Sequence, residues 1–329
     1  MPETDGRPRR TLLWWIKTAV LAVAALLVAV MAVRVITGGG REDAMAPALA
    51  PGEVRRTDAT GAFQYFLNED GSATLRWEQG GRDEVTVPAM LDGHPVTAIG
   101  DDAFRMRDHL RSVTLPDGIR RIGSSAFRRC LALTAVEVPE SVASIGASAF
   151  GSCENLARIS LPAGLETIPD GLFSGCAKLA EVTVPGSVTG IGASAFSGCS
   201  SLAAAVIPDS AAFIGEEAFM GCRSLERIVI PSGVRRIGDS AFFNCHSLIH
   251  AVIREGVIRI EDRVFANCRN LRAVTLPASV TWIGDAAFHL YALTEYRPNT
   301  AIAFTAPRGS YAERYCSGYG FALTVEDAP

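Results

Sequence analysis

The chain is poor in the residues from which active sites are built. It has five histidines in 329 residues, at positions 94, 109, 246, 250 and 289. His246 and His250 are four apart, but the chain there turns into a strand instead of continuing a helix, so surface positions are expected rather than ligands. There is no Walker loop, no G-x-S-x-G, no H-E-x-x-H and no C-x-x-C or paired Cys/His spacing. These absences leave no nucleophile–base pair and no metal set, so no enzyme, cofactor or metal is expected. Charge of either sign is not in excess: 31 basic against 35 acidic residues give a net charge of −4. That balance leaves no nucleic-acid footprint. The Arg120/Arg121, Arg128/Arg129 and Arg235/Arg236 pairs read as solvated exterior.

Aromatic residues are also sparse, at 8%, yet they are strictly ordered. Phenylalanine recurs every 23 residues at Phe104, Phe127, Phe150, Phe173, Phe196, Phe219, Phe242, Phe265 and Phe288. Leucine follows from Leu110 to Leu271, isoleucine from Ile99 to Ile283, and cysteine from Cys130 to Cys268, all in the same register. Proline keeps it from Pro116 to Pro277, with one gap. The unit is L-x-x-V-x-(L/V/I)-P-x-x-V-x-x-I-G-x-x-A-F-x-x-C-x-x. A fixed period of this length marks a stack of like coils, each burying its apolar side on the next. With strands roughly 4.8 Å apart, nine coils make a rod on the order of 40 Å long.

Within one unit, Val113, Thr114 and Leu115 alternate in, out and in, the period of a strand. Pro116 stops it because proline cannot donate to a ladder. A second extended piece, Ile119–Ile122, leads to Gly123, read here as a corner residue. Ser124 and its equivalents Asp101, Asp170, Asp239, Asp262 and Asp285 are expected to N-cap a one-turn helix carrying the Ala–Phe pair. Gly175, Gly198, Gly221, Asn244 and Asn267, just before the cysteines, suit the left-handed conformation that ends such a turn. Arg254, Glu261 and Val264 replace proline, glycine and alanine in one unit, and Pro169 replaces glycine in another. Local adjustment is expected there, without a break in the stack.

The L-x-x-V-x-L-P and I-G-x-x-A-F-x-x-C segments resemble the leucine-rich repeats of the BspA-like type, over about residues 63–323. Residues 85–100 are similar to that family's lead-in and residues 310–316 to its closing helix. The resemblance implies a bacterial surface protein with an extracellular binding role, often adhesive, and no catalytic residues to carry over.

The expected architecture is therefore a repeat solenoid, of short parallel strands and one-turn helices, over residues 99–297. Residues 61–98 form an N-terminal β cap, with a hairpin of Ala62–Leu67 and Ala73–Trp77. Residues 298–329 form a C-terminal cap and tail, where Ser310 and Glu313 make a capping-box pair and Tyr311 and Tyr315 share a face. The one long apolar run, at residues 12–36, has an uninterrupted stretch from Thr18 to Val33 bracketed by Lys17 and Arg34, with Trp14 and Trp15 suited to an interface. It reads as an uncleaved signal anchor. Arg7, Arg9, Arg10 and Lys17 keep residues 1–11 cytoplasmic and put the repeats outside. A cleaved signal peptide is the competing reading, with Ala44-Met45-Ala46 as its cleavage triplet. Residues 37–60, rich in Gly, Ala and Pro, read as a flexible linker.

Eight cysteines in an exported chain invite a disulfide reading. Seven occupy one column, whose parallel side-chain vectors do not give the torsion a bridge needs. They are expected to be buried thiols acting as small apolar fillers. Cys316 stands apart on the terminal helix and is expected to be buried in the cap.

In a solenoid the buried columns must repeat, so specificity resides in the exposed columns that vary. One of them turns from polar residues to Val206, Val229 and Val252, with Ile249 alongside. A contiguous apolar patch on a surface strand is a candidate interface, against the bland alternative that β-branched residues suit strands. A second column runs Phe213, Arg236, Arg259, Trp282. Interface hot spots favour Trp and Arg; the bland alternative is a ladder in which arginines stack on the rings. The expected partner is a protein, with a glycan as the weaker choice, plus the membrane through the N-terminal helix. The rival to recognition is a structural envelope spacer or scaffold without a specific ligand.

Overall fold

The structure, a computed structural model, describes residues 54–327 apart from Gln79, Leu293 and Thr294. The expected anchor at 12–36, the tail before it and most of the linker lie outside those residues. Among the described residues no helix is long and apolar enough to cross a membrane. The chain winds into a β-solenoid of about 11 turns with the 23-residue period.

Two strips of short strands run along the solenoid. On the first, Glu84–Thr86, Ser112–Thr114, Ala135–Glu137 and Arg158–Ser160 form a parallel sheet. After a gap, Arg227–Ile230, His250–Ile253, Ala273–Thr275, Ala303–Pro307 and Ala322–Glu326 form another. The middle residue of each three-residue strand is buried and its neighbours face outward, as alternation requires. The second strip carries two-residue strands. His94–Ile99, Arg121–Ile122 and Ser144–Ile145 stand at one end; Phe213–Ile214, Arg236–Ile237, Arg259–Ile260 and Trp282–Ile283 stand at the other.

Between the strips lies the core. The nine phenylalanines are at most 1% exposed. Their rings stack in one file, with centroids 5.0 to 6.0 Å apart. Phe304 closes the file edge-on at 5.0 Å and 87°. Offset stacking of this kind adds about 0.5–1.5 kcal/mol per pair beyond the burial itself.

The corner that carries each phenylalanine is not a helical turn, contrary to expectation. The residue two before it is left-handed, at Asp102, Ser125, Ser148, Gly171, Ser194, Glu217, Ser240, Arg263 and Ala286, and so, in most turns, is the residue two after it. These left-handed residues, four apart, aim alternate amides at the next turn. Phe104 N donates to Ala126 O at 2.7 Å and Phe196 N to Ala218 O at 2.7 Å. The acids expected as helix caps follow the same logic. Asp101, Asp170 and Asp262 accept from the amides of Ser124, Ala193 and Asp285, at 2.8, 2.7 and 2.8 Å, each 23 residues on. They cap the neighbouring turn, not their own.

The glycine after each isoleucine also serves the stack. Its φ is not positive, but a Cβ at Gly215 would come within 2.6 Å of the Ala193 amide nitrogen, and one at Gly238 within 2.6 Å of Glu216 N. Close approach of successive backbones, not corner geometry, favours glycine there. This glycine's amide donates to the preceding isoleucine carbonyl, as in Gly123 to Ile99 and Gly192 to Ile168, both 2.8 Å. Pro169 has no N–H to offer Ile145. The second strip loses its strands there and keeps only the bridges Ile168–Ile191 and Ile191–Ile214. The ring file responds with its widest spacing, 6.0 Å at Phe150–Phe173, and its largest tilt, 30° at Phe173–Phe196. It continues unbroken, as expected. Glu261 fills the same column with its amide still bonded to Ile237 O at 3.1 Å.

The first strip's gap falls at residues 181–184 and 204–207. In the second of these turns Ala205 stands where the neighbouring turns carry Val182 and Ile228, and alanine is a poor strand former.

At the N-terminal end, Phe63–Leu67 and Ala73–Glu78 pair antiparallel, and Arg56–Thr57 adds to them, drawing in residues from the expected linker. Arg107 occupies the cysteine position of the first turn. Buried beneath this hairpin, it lies 3.8 Å from Glu78 and 4.4 Å over the Trp77 ring. At the other end, an unforeseen antiparallel pair, His289–Ala292 with Glu295–Pro298, leaves the repeat path. The helix Tyr311–Gly318 (α1) then covers the last turn with Ala312, Tyr315 and Cys316. Ser310 Oγ accepts from Glu313 N at 3.0 Å, while Glu313 reaches Gly309 N instead of the cap residue's own amide.

Candidate functional site

The structure separates the two variable columns onto different strips. Val229 and Val252 are Cα partners in register, and Thr275 follows Val252. All three are strand residues of the first strip. Val206 stands one turn earlier, in the gap, where the missing ladder leaves it 72% exposed. Ile249 immediately precedes the strand His250–Ile253 and is also exposed. A hollow of about 400 Å³ opens between Val206 and Val229, edged by Asp209, Arg227 and Arg254. A larger hollow of about 710 Å³ lies on the other side of the gap, beside Glu137, Arg158, Ser160 and Thr183. Its outward strand positions carry Glu137, Ser160 and Thr183 where the smaller hollow has Val206 and Val229, so the valine side is the better candidate for burial against a partner.

On the second strip, Phe213, Arg236, Arg259 and Trp282 fall in one register line. They are held by one another and by their neighbours. Phe213 lies on Gly190, whose missing side chain leaves room for the ring. Arg259 stacks over Trp282 at 5.3 Å. Glu261 accepts from Arg236 Nε at 2.8 Å and Arg259 Nε at 3.0 Å. These bonds hold the Glu261 carboxyl below its usual range against the opposing effect of burial, with the Arg259 bond the largest single cause. Sequence reasoning noted Glu261 as a departure from the repeat but missed its use. The signal was a carboxylate two residues after one arginine of the column and one turn after another.

The thiol column is chemically quiet. Cys130 to Cys268 are free and buried, and each Sγ donates to the phenylalanine carbonyl of the preceding turn, from Cys130 to Phe104 at 3.0 Å to Cys222 to Phe196 at 3.3 Å. Burial pushes the Cys153, Cys199 and Cys316 thiols up to about 12. Among the described residues no group of three His, Cys, Asp or Glu side chains is placed to hold a metal. His246 and His250 sit half-buried on one turn, the first on the approach to the strand His250–Ile253 and the second at its start.

Residues 91–203 and 191–303 match the BspA type leucine-rich repeat region, in six copies. The chain belongs to this family. As a BspA-type repeat protein it is similar in structure to a leucine-rich cell surface protein from Faecalibacterium prausnitzii, at 25% identity and a TM-score of 0.57, over 86% of this chain and 96% of that one. It is also similar to a leucine-rich repeat protein from T. pallidum, at 26% identity and a TM-score of 0.42, over 83% and 100% of the two chains. A third, from Bacteroides ovatus, shares 21% identity at a TM-score of 0.42, over 86% and 100%. No curated protein matches the chain in sequence. In this BspA-type chain, as in the family pattern, the repeating columns are spent on the core, and only the outward columns are free to vary.

Proposed function

We propose that the chain is a membrane-tethered, outward-facing recognition module that binds a protein through its solenoid surface. One observation carries the reading: Val206, Val229, Val252 and Ile249 are exposed together on consecutive turns. Exposed apolar side chains gathered on a rigid scaffold are a standing cost in water and a gain when a partner covers them. The F. prausnitzii relative is described as a cell surface protein, which supports an external position. The apolar run at 12–36 supplies the tether, with its basic flank on the cytoplasmic side.

The second strip favours the rival reading for its own column. Phe213, Arg236, Arg259 and Trp282 satisfy one another through Gly190 and Glu261, as a spacer's surface would. Two variants of the full chain, immobilised in detergent, separate the readings. Val229→Asp is expected to abolish protein capture from surface extracts, with the melting curve unchanged. Phe213→Ala/Trp282→Ala is expected to leave capture intact if that column is structural and to reduce it if it is a second contact. Capture unaffected by either variant would make the rod a spacer. Alkaline extraction that releases the chain from membranes would refute the tether.

A further inference from the structure

The valine patch has a basic border. Three successive turns bring Arg223 and Arg227, then His246 and His250, then Arg269 and Arg272, to the approach and outer face of the same strands. Arg227 and His250 are Cα partners, and each stands two residues before a patch valine. Arg272 N bonds Ile249 O at 2.9 Å, and Ser247 N bonds Arg223 O at 3.2 Å, which ties the three turns together.

Elsewhere Arg236 and Arg259 share Glu261, Arg263 holds Asp239 at 2.9 Å, and Arg111 holds Asp83 at 3.4 Å. Arg223, Arg227, Arg269 and Arg272 are all exposed, and none makes an ion pair. Within these three segments the one acid is Glu226, and Asp209 at the edge of the hollow faces Arg254 at 4.0 Å. Arg269 and Arg272 are braced instead by neutral oxygens: Asn267 Oδ1 at 3.2 Å, and the carbonyls of Arg269 and Leu271 at 3.1 Å. The same columns in the N-terminal half mix signs, with Asp108, Arg111, Glu154, Arg158 and Glu181. Burial, and then the fields of Arg269 and Arg223, depress the His246 imidazole below its ordinary pKa.

We infer that the partner covering Val206, Val229, Val252 and Ile249 is an acidic protein segment, with apolar side chains seated on the valines and carboxylates on the arginine border. The inference rests on the protein-binding reading above and names the chemistry of its partner. Guanidinium groups pair carboxylates in two-point geometry, and like charges gathered without counter-charges steer an oppositely charged partner to the surface. A polyanionic glycan would use the arginines but leave the valines wet; a neutral protein would use the valines but leave the arginines unpaired.

The test uses the full chain in detergent and three probes. They are a fluorescent peptide of alternating glutamate and leucine, an oligoglutamate of equal charge, and heparin. The glutamate–leucine peptide is expected to bind at least tenfold more tightly than oligoglutamate and to weaken steeply with salt. Arg223→Ser/Arg269→Ser and Val229→Asp are each expected to cut its binding tenfold or more; Arg120→Ser/Arg121→Ser, on a distant turn, is not. Equal or tighter binding of heparin, insensitive to Val229→Asp, would replace the acidic protein with a polyanion. No binding of any probe would overturn the inference. Protein capture from surface extracts distinguishes the two levels. Loss with Val229→Asp but not with Arg223→Ser/Arg269→Ser overturns the acidic partner and keeps the protein-binding reading; loss with neither overturns both.

Discussion

The thiol of Cys130 donates to the carbonyl oxygen of Phe104, 3.0 Å away in the preceding turn. The relation repeats at Cys199 and Phe173, 3.2 Å. Cysteine in this column is therefore both a small filler and a donor. The folded protein is expected to resist thiol-alkylating reagents at neutral pH, because its thiols are buried and burial holds those of Cys153 and Cys199 up at about 12. All eight thiols become reactive on denaturation. Mass spectrometry before and after guanidinium reads this directly.

Cys199→Ala removes the donor and leaves a small void, and the Phe173 carbonyl keeps only its bond from the Cys176 amide at 3.0 Å. A loss of about 1–2 kcal/mol is expected, measured by denaturant unfolding.

Two glycines separate stacking from turn flexibility. At Gly215 a Cβ would meet Ala193 N at 2.6 Å and Gly192 C at 2.6 Å, whereas at Gly186 it would meet nothing within 4 Å. Gly215→Ala is expected to lower the melting temperature by several degrees, and Gly186→Ala to leave it within about a degree, consistent with the roughly 0.5 kcal/mol scale of surface changes.

Glu78 and Arg107 are a buried pair, 4% exposed or less, at the joint of hairpin and first turn. Removing Arg107 leaves the buried Glu78 carboxylate to the half-exposed Arg82, 3.4 Å away. Arg107→Met alone is expected to cost roughly 3–5 kcal/mol. Adding Glu78→Leu to it should recover part of that loss, which a double-mutant cycle measures.

The lead-in to stacking was legible because columns must repeat to be buried. The phenylalanine file, the inward Val113 and the outward Thr114 all follow from that rule. The corner was not. Ser125 and Ser148 carry no sign of a left-handed conformation, and only the demand for bonds to the next turn imposes it. Asp101 reads as a cap in either geometry, so its sequence could not reveal which turn it serves. The gap in the first strip was not read from the sequence, since residues 181–184 carry ordinary strand formers.

His289 is buried against Tyr319, 5.3 Å between ring centroids, and burial lowers its pKa despite the opposing field of Asp285. The unfolded chain thus takes up this proton at a higher pH than the folded one. Stability from this site is full above about pH 6.5 and falls as the pH drops below that value. The melting temperature should decline between pH 7.5 and pH 5, and His289→Phe should flatten part of that decline.

Photo-cross-linking tests the central claim most directly. A photoreactive residue is placed in turn at Val229, at Val252 and at Glu137, the last in the same outward column but on the N-terminal side of the gap. Irradiation in cells is expected to give one protein adduct from the two valine positions and none from the glutamate position. Adducts spread equally over all three, or absent from the valines, would contradict a recognition face on these turns.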